Sequence, residues 1–143
     1  MSAFQMYVRV VSSSLQPSDI TARLNAEPDE SSAIGSRRRP ELPPRGHTSW
    51  IRRAVAPEAG ARPEDLEPSV LAWGTEFAAA LGALAESGAA DVSLVIVQRI
   101  QDPDGTAEKG IFLGAELIRW LATAGASLDV DQYVLHECEQ SQD

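Results

Sequence analysis

The apolar run at residues 92–100 constrains this chain more than any other feature. Its sequence, VSLVIVQRI, is rich in β-branched side chains and nearly continuous in apolar ones. It is too short to cross a membrane as a helix, which takes about 20 apolar residues. A strand of this composition is typical of the interior of a sheet, where both faces are covered. We therefore expect the chain to build a sheet around residues 92–100.

Other segments have the patterns of further strands. Near the N-terminus apolar and polar residues alternate, which places one face of a strand in the core; the apolar members are Phe4, Met6, Val8 and Val10. Residues 49–53 predict a short strand at an edge of the sheet, because charge and proline flank the segment on both sides. The alternation in 128–134 predicts a last strand, and residues 111–113 a brief additional one.

Three helices are expected between these strands. Pro17 stands where the first turn of a helix tolerates a missing N–H, and it predicts a short first helix. A long helix is predicted to begin at Pro68 and to end at Gly88, and a third covers 116–124 with Gly125 as its cap. Helical spacing predicts that six side chains of the later helices are buried in the core: Trp73, Phe77, Leu81, Leu117, Trp120 and Leu121.

The predicted order of elements is strand, helix, strand, long helix, strand, helix, strand. This order is typical of an α+β domain with a mainly antiparallel sheet of four or five strands and helices on one face. Two strand–helix–strand halves favour a ferredoxin-like split βαβ sandwich, with an extra long helix between the halves and with the first and third main strands central and parallel. We expect a single domain over 1–143, with an exposed loop at 29–46 and a frayed tail at 137–143.

Composition limits the class of protein. A chain of 143 residues with 43% hydrophobic and 23% charged side chains is long enough and apolar enough to fold around its own core. The sequence contains no apolar run of membrane-spanning length and no secretory signal pattern. Its single cysteine, Cys138, cannot form an internal disulfide. We therefore expect a soluble cytoplasmic protein, and the abundance of alanine, arginine, glycine and proline is typical of a bacterial one.

Positive charge is concentrated in one segment of an acidic chain. Residues 37–53 hold six of the 12 basic residues and one of the 21 acidic ones, so the segment carries +5 and the rest of the chain −14. Guanidinium groups suit carboxylates and phosphates, and tryptophan can anchor a partner. This chemistry predicts a binding segment whose members are Arg37, Arg38, Arg39, Arg45, His47, Trp50 and Arg52. In the simpler interpretation the arginines are solvated and Trp50 fills the core, because charged runs usually face water.

Three stretches of the sequence together resemble a bacterial family known only as a domain of unknown function, number 4279. They are residues 7–24, the GHTSW motif at 46–50, and LDVDQYV at 128–134 after a glycine-terminated helix. The resemblance covers nearly the whole chain and implies a small α+β domain, with no assigned activity or catalytic residues. Gln132 departs from the expected aliphatic pattern, and Gln98 interrupts its own strand in the same way. Either both lie at the end of the sheet, or they form hydrogen bonds inside it.

Few other residues could act in catalysis or bind a metal. His47 and His136 are the only histidines, and either needs a serine, cysteine or carboxylate beside it to act as a general base. The HECE tail at 136–139 has metal-capable side chains, but it is more simply an inert chain end. Asp129 and Asp131 point to the same side of a strand. They could act as an acid–base pair, or they could be the solvent-exposed face or flank of an edge strand. We found no phosphate-binding glycine loop, C-x-x-C pair or nucleophile elbow.

Two classes of function therefore stay open. The first is a non-enzymatic interaction module, of a toxin-neutralising or regulatory kind, that binds an anionic protein partner through 37–53. The second is a binder of a small anionic ligand, or a hydrolase-like enzyme, acting near His47; a pocket beside His47 favours this second class. Neither requires a cofactor or metal. The acidic body argues against nucleic acid and membrane as partners, and a homodimer is compatible with the sequence.

Overall fold

A five-stranded sheet with four helices is formed by the residues described in the computed structural model, which are 3–59, 61–101 and 110–135. In chain order the elements are β1 Ala3–Ser12, α1 Pro17–Leu24, β2 Glu30–Ser32, β3 Thr48–Arg53, α2 Pro63–Leu71, α3 Thr75–Glu86, β4 Asp91–Ile100, α4 Ala115–Ala124 and β5 Ser127–Val134. The α+β class was predicted from the sequence, and five strands agree with the predicted four or five, although β2 was not among the segments predicted to be strands.

The strand order across the sheet is β2-β3-β1-β4-β5. Three of the four pairings are antiparallel, and β4 with β5 is parallel, so the sheet is mixed. The parallel pair follows from its connection, because α4 carries the chain back to the starting end of β4 before β5 begins. Strand β4, which contains the apolar run, has a neighbour on each side, so its predicted interior position is confirmed.

The arrangement of the strands differs from the expected ferredoxin-like one, which is not confirmed. The first and third main strands, β1 and β4, are neighbours near the centre, but they are antiparallel and not parallel. In a split βαβ unit another strand separates the two strands, whereas β5 pairs directly with β4. Strand β3 is also not at an edge, because β2 pairs along its outer side. The expected loop at 29–46 thus contains a strand, β2. Its three residues are all polar and too few to show the alternation of apolar and polar residues that predicts a strand.

The extra long helix is divided in two. Helix α2 begins at Pro63, and α3 begins after Gly74, whose φ of 92° is a conformation that favours glycine and interrupts the helix. The apolar spacing continues across this break, which is why the sequence predicted one helix. Residues 111–113 do not form the predicted strand. No helix in the described part of the chain has the length and apolar character needed to cross a membrane.

All four helices pack on one face of the sheet. Alternate residues of β1 and β4 share a core cluster with buried residues of every helix, among them Met6, Val8, Leu94, Ile20, Leu66, Leu81 and Leu117. Of the six predicted core residues in the helices, five are buried, and Trp73 is half-buried against the cluster. The opposite face of the sheet carries the other set of side chains, including Tyr7, Arg9 and Arg53.

Candidate functional site

The connection between β2 and β3, residues 33–47, displays most of the predicted binding arginines, and we call it the basic loop. Its ends are tied by backbone hydrogen bonds from the Gly35 amide to the Arg45 carbonyl and from the Arg45 amide to the Ser36 carbonyl, both 2.8 Å long. The Arg37 guanidinium donates to the Leu42 carbonyl at 2.9 Å. The basic loop is therefore held by its own contacts, and Arg37 is one of its braces.

Two of the arginines line a polar cleft beside the edge of the sheet. This cleft, which we call the serine cleft, has a volume of about 390 Å³ and is lined by Arg38, Arg45, Glu30, Ser31, Ser32 and Ser49. The Arg45 guanidinium donates to the Ser36 hydroxyl at 3.0 Å. Glu30 accepts from the Arg53 guanidinium at 2.9 Å, so a cation already balances its charge. The serine cleft thus combines two guanidinium groups with three hydroxyl-bearing side chains.

The other predicted binding residues lie elsewhere. Trp50 is 0% exposed and its indole N–H donates to the Thr21 hydroxyl at 3.1 Å. Trp50 therefore fills the core, as in the simpler interpretation of the segment, since the alternation of β3 turns this side chain inward. Arg39 lies 3.6 Å from Glu41 in an exposed ion pair. His47 is exposed and does not line the serine cleft.

Arg52 lies on the helix-covered side of the sheet, in a separate environment. It follows Thr48 and Trp50 in the inward set of β3, and Arg53 points to the opposite face. Its guanidinium carbon lies 4.9 Å from the ring centroid of Trp73 and 4.8 Å from that of Phe77. Burial lowers the pKa of the Arg52 guanidinium, and the negative charge of Asp29 opposes that shift. The ring faces replace part of the water that a guanidinium normally holds.

A second cleft opens beside this guanidinium, and we call it the Arg52 cleft. It has a volume of about 600 Å³ between the end of α1, strand β3 and the start of α3. The polar and aromatic residues that line it are Arg23, Asn25, Glu27, Arg52, Trp73, Glu76 and Phe77. The sequence prediction included Arg52 but missed the helical residues around it. The sequence does contain a signal for the position of Arg52. If Thr48 and Trp50 face the core, the alternation of the strand places Arg52, two residues later, on the same side.

The remaining candidate residues form no catalytic arrangement that the structure describes. Asp129 and Asp131 face away from the helices, opposite Val95 and Val97 of β4. His136 and the rest of the HECE tail lie outside the described residues. Within the described ranges, no group of three or more histidine, cysteine, aspartate or glutamate side chains is placed to hold a metal ion.

Comparison with known proteins identifies the family. The model of the family described as Domain of unknown function (DUF4279) matches residues 2–135. No curated protein and no solved structure matches the chain. Because the family match spans almost the whole sequence, the chain belongs to this family of unknown function.

Proposed function

We propose that this DUF4279 protein is a non-enzymatic interaction module that binds an acidic segment of a partner protein at the serine cleft and the basic loop. The observation that supports the proposal is that Arg38 and Arg45 both line one cleft together with three serines. Guanidinium groups bind carboxylates in a bidentate manner, and the hydroxyls can donate to the remaining oxygens. A glutamate or aspartate side chain of a partner fits this chemistry.

The rigidity of the basic loop supports the proposal. Two short backbone hydrogen bonds and the Arg37 brace hold its ends and its turn, so the loop loses less conformational freedom when a partner binds. In the described part of the chain, β2 is the outermost strand on this side of the sheet, and its residues line the serine cleft. An extended partner segment can therefore lie along the sheet while its acidic side chains enter the cleft.

A peptide titration tests this function. A labelled glutamate-rich peptide is titrated into the wild type and into an Arg38→Ala/Arg45→Ala variant, with fluorescence anisotropy as the measurement. Loss of charged hydrogen bonds should weaken binding at least roughly tenfold. Binding should also weaken as salt rises, because screening shortens the reach of exposed charges to about 8 Å at physiological ionic strength. The same peptide with glutamine in place of glutamate should not bind.

The matched control is Arg23→Ala/Arg119→Ala, which removes the same charge from exposed positions on two helices. If both double variants lose affinity equally, the effect is one of overall charge and the proposed site is wrong. Arg37 is left intact because it braces the loop. The thermal melt of Arg23→Ala/Arg119→Ala should match the wild type, since exposed substitutions usually change stability by no more than about 0.5 kcal/mol. The melt of Arg38→Ala/Arg45→Ala should be lower by the loss of one hydrogen bond, about 0.5–1.5 kcal/mol, because the half-buried Arg45 donates to Ser36.

A further inference from the structure

The Arg52 cleft is chemically distinct from the proposed partner-binding surface and lies on the other face of β3. Arg52 is a cation on the core-facing side of a strand, where charged side chains are normally paired. Among the described residues, its guanidinium forms no ion pair and no side-chain hydrogen bond. It is held instead by the faces of Trp73 and Phe77, whose rings are 5.7 Å apart at 75°.

These contacts with the aromatic rings do not use the hydrogen-bonding capacity of the Arg52 guanidinium. A cation over an aromatic ring interacts through the ring face, whereas the five N–H groups of a guanidinium point outward in its own plane. The half-buried guanidinium borders the cleft, so those N–H groups can reach a ligand there. The contacts with the two rings also restrict the movement of the guanidinium before any ligand arrives, which reduces the entropy lost on binding.

The charges around the cleft restrict what that ligand can be. Arg23 adds a second cation, and Glu27 and Glu76 add two carboxylates. None of these four side chains forms an ion pair with another within the described ranges. A simple anion on Arg52 would lie near both carboxylates in a protein whose net charge is −9. A ligand with one group of each sign matches the lining, because each of its charges can face the opposite one.

We propose that the Arg52 cleft binds a free α-amino acid, with the ligand carboxylate on the Arg52 guanidinium and the ligand ammonium group facing Glu76. The volume of about 600 Å³ lies within the range of sites for small molecules. Ala80 and the two aromatic residues also line the cleft, and apolar side chains of this kind suit the side chain of such a ligand. This site is independent of the serine cleft.

Calorimetric titration with each of the standard L-amino acids tests the proposal. At least one should bind, and its amide and its N-acetyl derivative should each bind about tenfold or more weakly, since each lacks one of the two charges. Binding by none of the amino acids at millimolar concentration overturns the proposal. Equal affinity for acetate or inorganic phosphate overturns it as well, because it shows a site for simple anions.

Variants locate the site. Arg52→Gln should lower affinity by about tenfold to a hundredfold, and Glu76→Gln by about tenfold. Glu76 is exposed, so this second variant remains informative even if loss of the stacked guanidinium disturbs folding. The matched control is Arg53→Gln, which removes a cation from the next residue on the opposite face. Unchanged affinity in Glu76→Gln, or an equal loss in Arg53→Gln, contradicts the proposed site. The Arg38→Ala/Arg45→Ala variant should retain amino acid binding, which separates this proposal from the partner-binding function.

Discussion

The amides of Gln98 and Gln132 show how single polar residues are accommodated within the sheet. The two residues are register partners on β4 and β5, and the Gln132 amide N–H donates to the Gln98 side-chain carbonyl at 2.8 Å. Gln98 is 0% exposed, whereas Gln132 is exposed. Of the two alternatives derived from the sequence, the hydrogen bond inside the sheet is the one that the structure shows. A buried amide without a partner would cost about 1–3 kcal/mol.

Tyr7, on the helix-free face, gives a prediction about pH. Burial raises the pKa of its hydroxyl above the ordinary value of 10.0; Asp131 and Asp129 add to this shift, and Arg9 and Arg53 oppose it. The folded state therefore holds the proton more tightly than the unfolded chain. Its stabilising contribution is complete below about pH 10 and is lost as the pH rises through the folded pKa.

We expect the Tyr7→Phe variant to lose less of its free energy of unfolding than the wild type between about pH 9 and about pH 11. Urea unfolding at both pH values measures this difference, and the tyrosinate absorbance follows the titration directly. Identical losses in the two proteins would contradict the prediction.

Among the elements, α3 and α4 form the most extensive helix pair. Gly82 of α3 faces the backbone of α4, and a Cβ at this position would overlap the Thr123 carbonyl oxygen. A backbone atom cannot move aside as a flexible side chain can. The absence of a side chain at Gly82 therefore sets how closely the two helices approach.

Gly82→Ala should destabilise the protein by about 1–3 kcal/mol, because the overlap forces the helices apart. This direction is opposite to the stabilisation of about 1 kcal/mol that Gly→Ala gives in an open helix position. Gly46→Ala is the control, since its Cβ would meet no atom within 4 Å and its φ is not positive. Urea unfolding of both variants measures the difference. A gain in stability from Gly82→Ala would show that the helices can separate without cost.

Strand β5 is the edge opposite β2, and its side chains limit pairing with other chains. Leu128, Val130 and Val134 on its helix side are partly exposed. Asp129 and Asp131 lie on the other side of the same strand. Charged residues on an exposed edge strand disfavour pairing with a second sheet, so these carboxylates offset the apolar character of the edge.

At the scale of the molecule, four aromatic rings connect the sheet to the helices. Phe77 contacts three tryptophan rings, with centroids between 5.7 and 6.3 Å apart. They are Trp50 of β3, Trp73 of the α2–α3 connection and Trp120 of α4. The Trp120 indole N–H donates to the Gly74 carbonyl at 3.1 Å, at the break between α2 and α3. The same cluster holds Arg52, so the core and the Arg52 cleft share residues.

Trp120→Ala should lower the free energy of unfolding by about 3–5 kcal/mol, because it leaves a cavity beside Trp73 and Phe77 and removes one of the two N–H donors to the Gly74 carbonyl. Phe112→Ala removes an aromatic ring that is 67% exposed, and it should cost less than about 1 kcal/mol. Equilibrium unfolding in urea measures both values. A cost below about 1 kcal/mol for Trp120→Ala would mean that the ring does not support the core.

The sequence by itself determined the local elements and the inward residues. The alternation in β1, the apolar run in β4 and the helical spacing around Phe77 and Trp120 are local periods, and each predicted its element and buried face. The Gly125 cap was predicted in the same way, and its φ of 62° confirms it. These features depend on residues a few positions apart, whose effects on the backbone do not require the rest of the fold.

The tertiary structure alone decided how those elements combine. The antiparallel pairing of β1 with β4, the position of the three-residue β2 and the break at Gly74 depend on contacts between distant segments, which no local period records. The same holds for the binding segment: the alternation of β3 is a local pattern, but the helices and the loop that lie against each face of the strand come from distant parts of the chain. The fold therefore buries Trp50, places Arg52 against aromatic rings from α3 and the α2–α3 connection, and leaves Arg38 and Arg45 at the serine cleft.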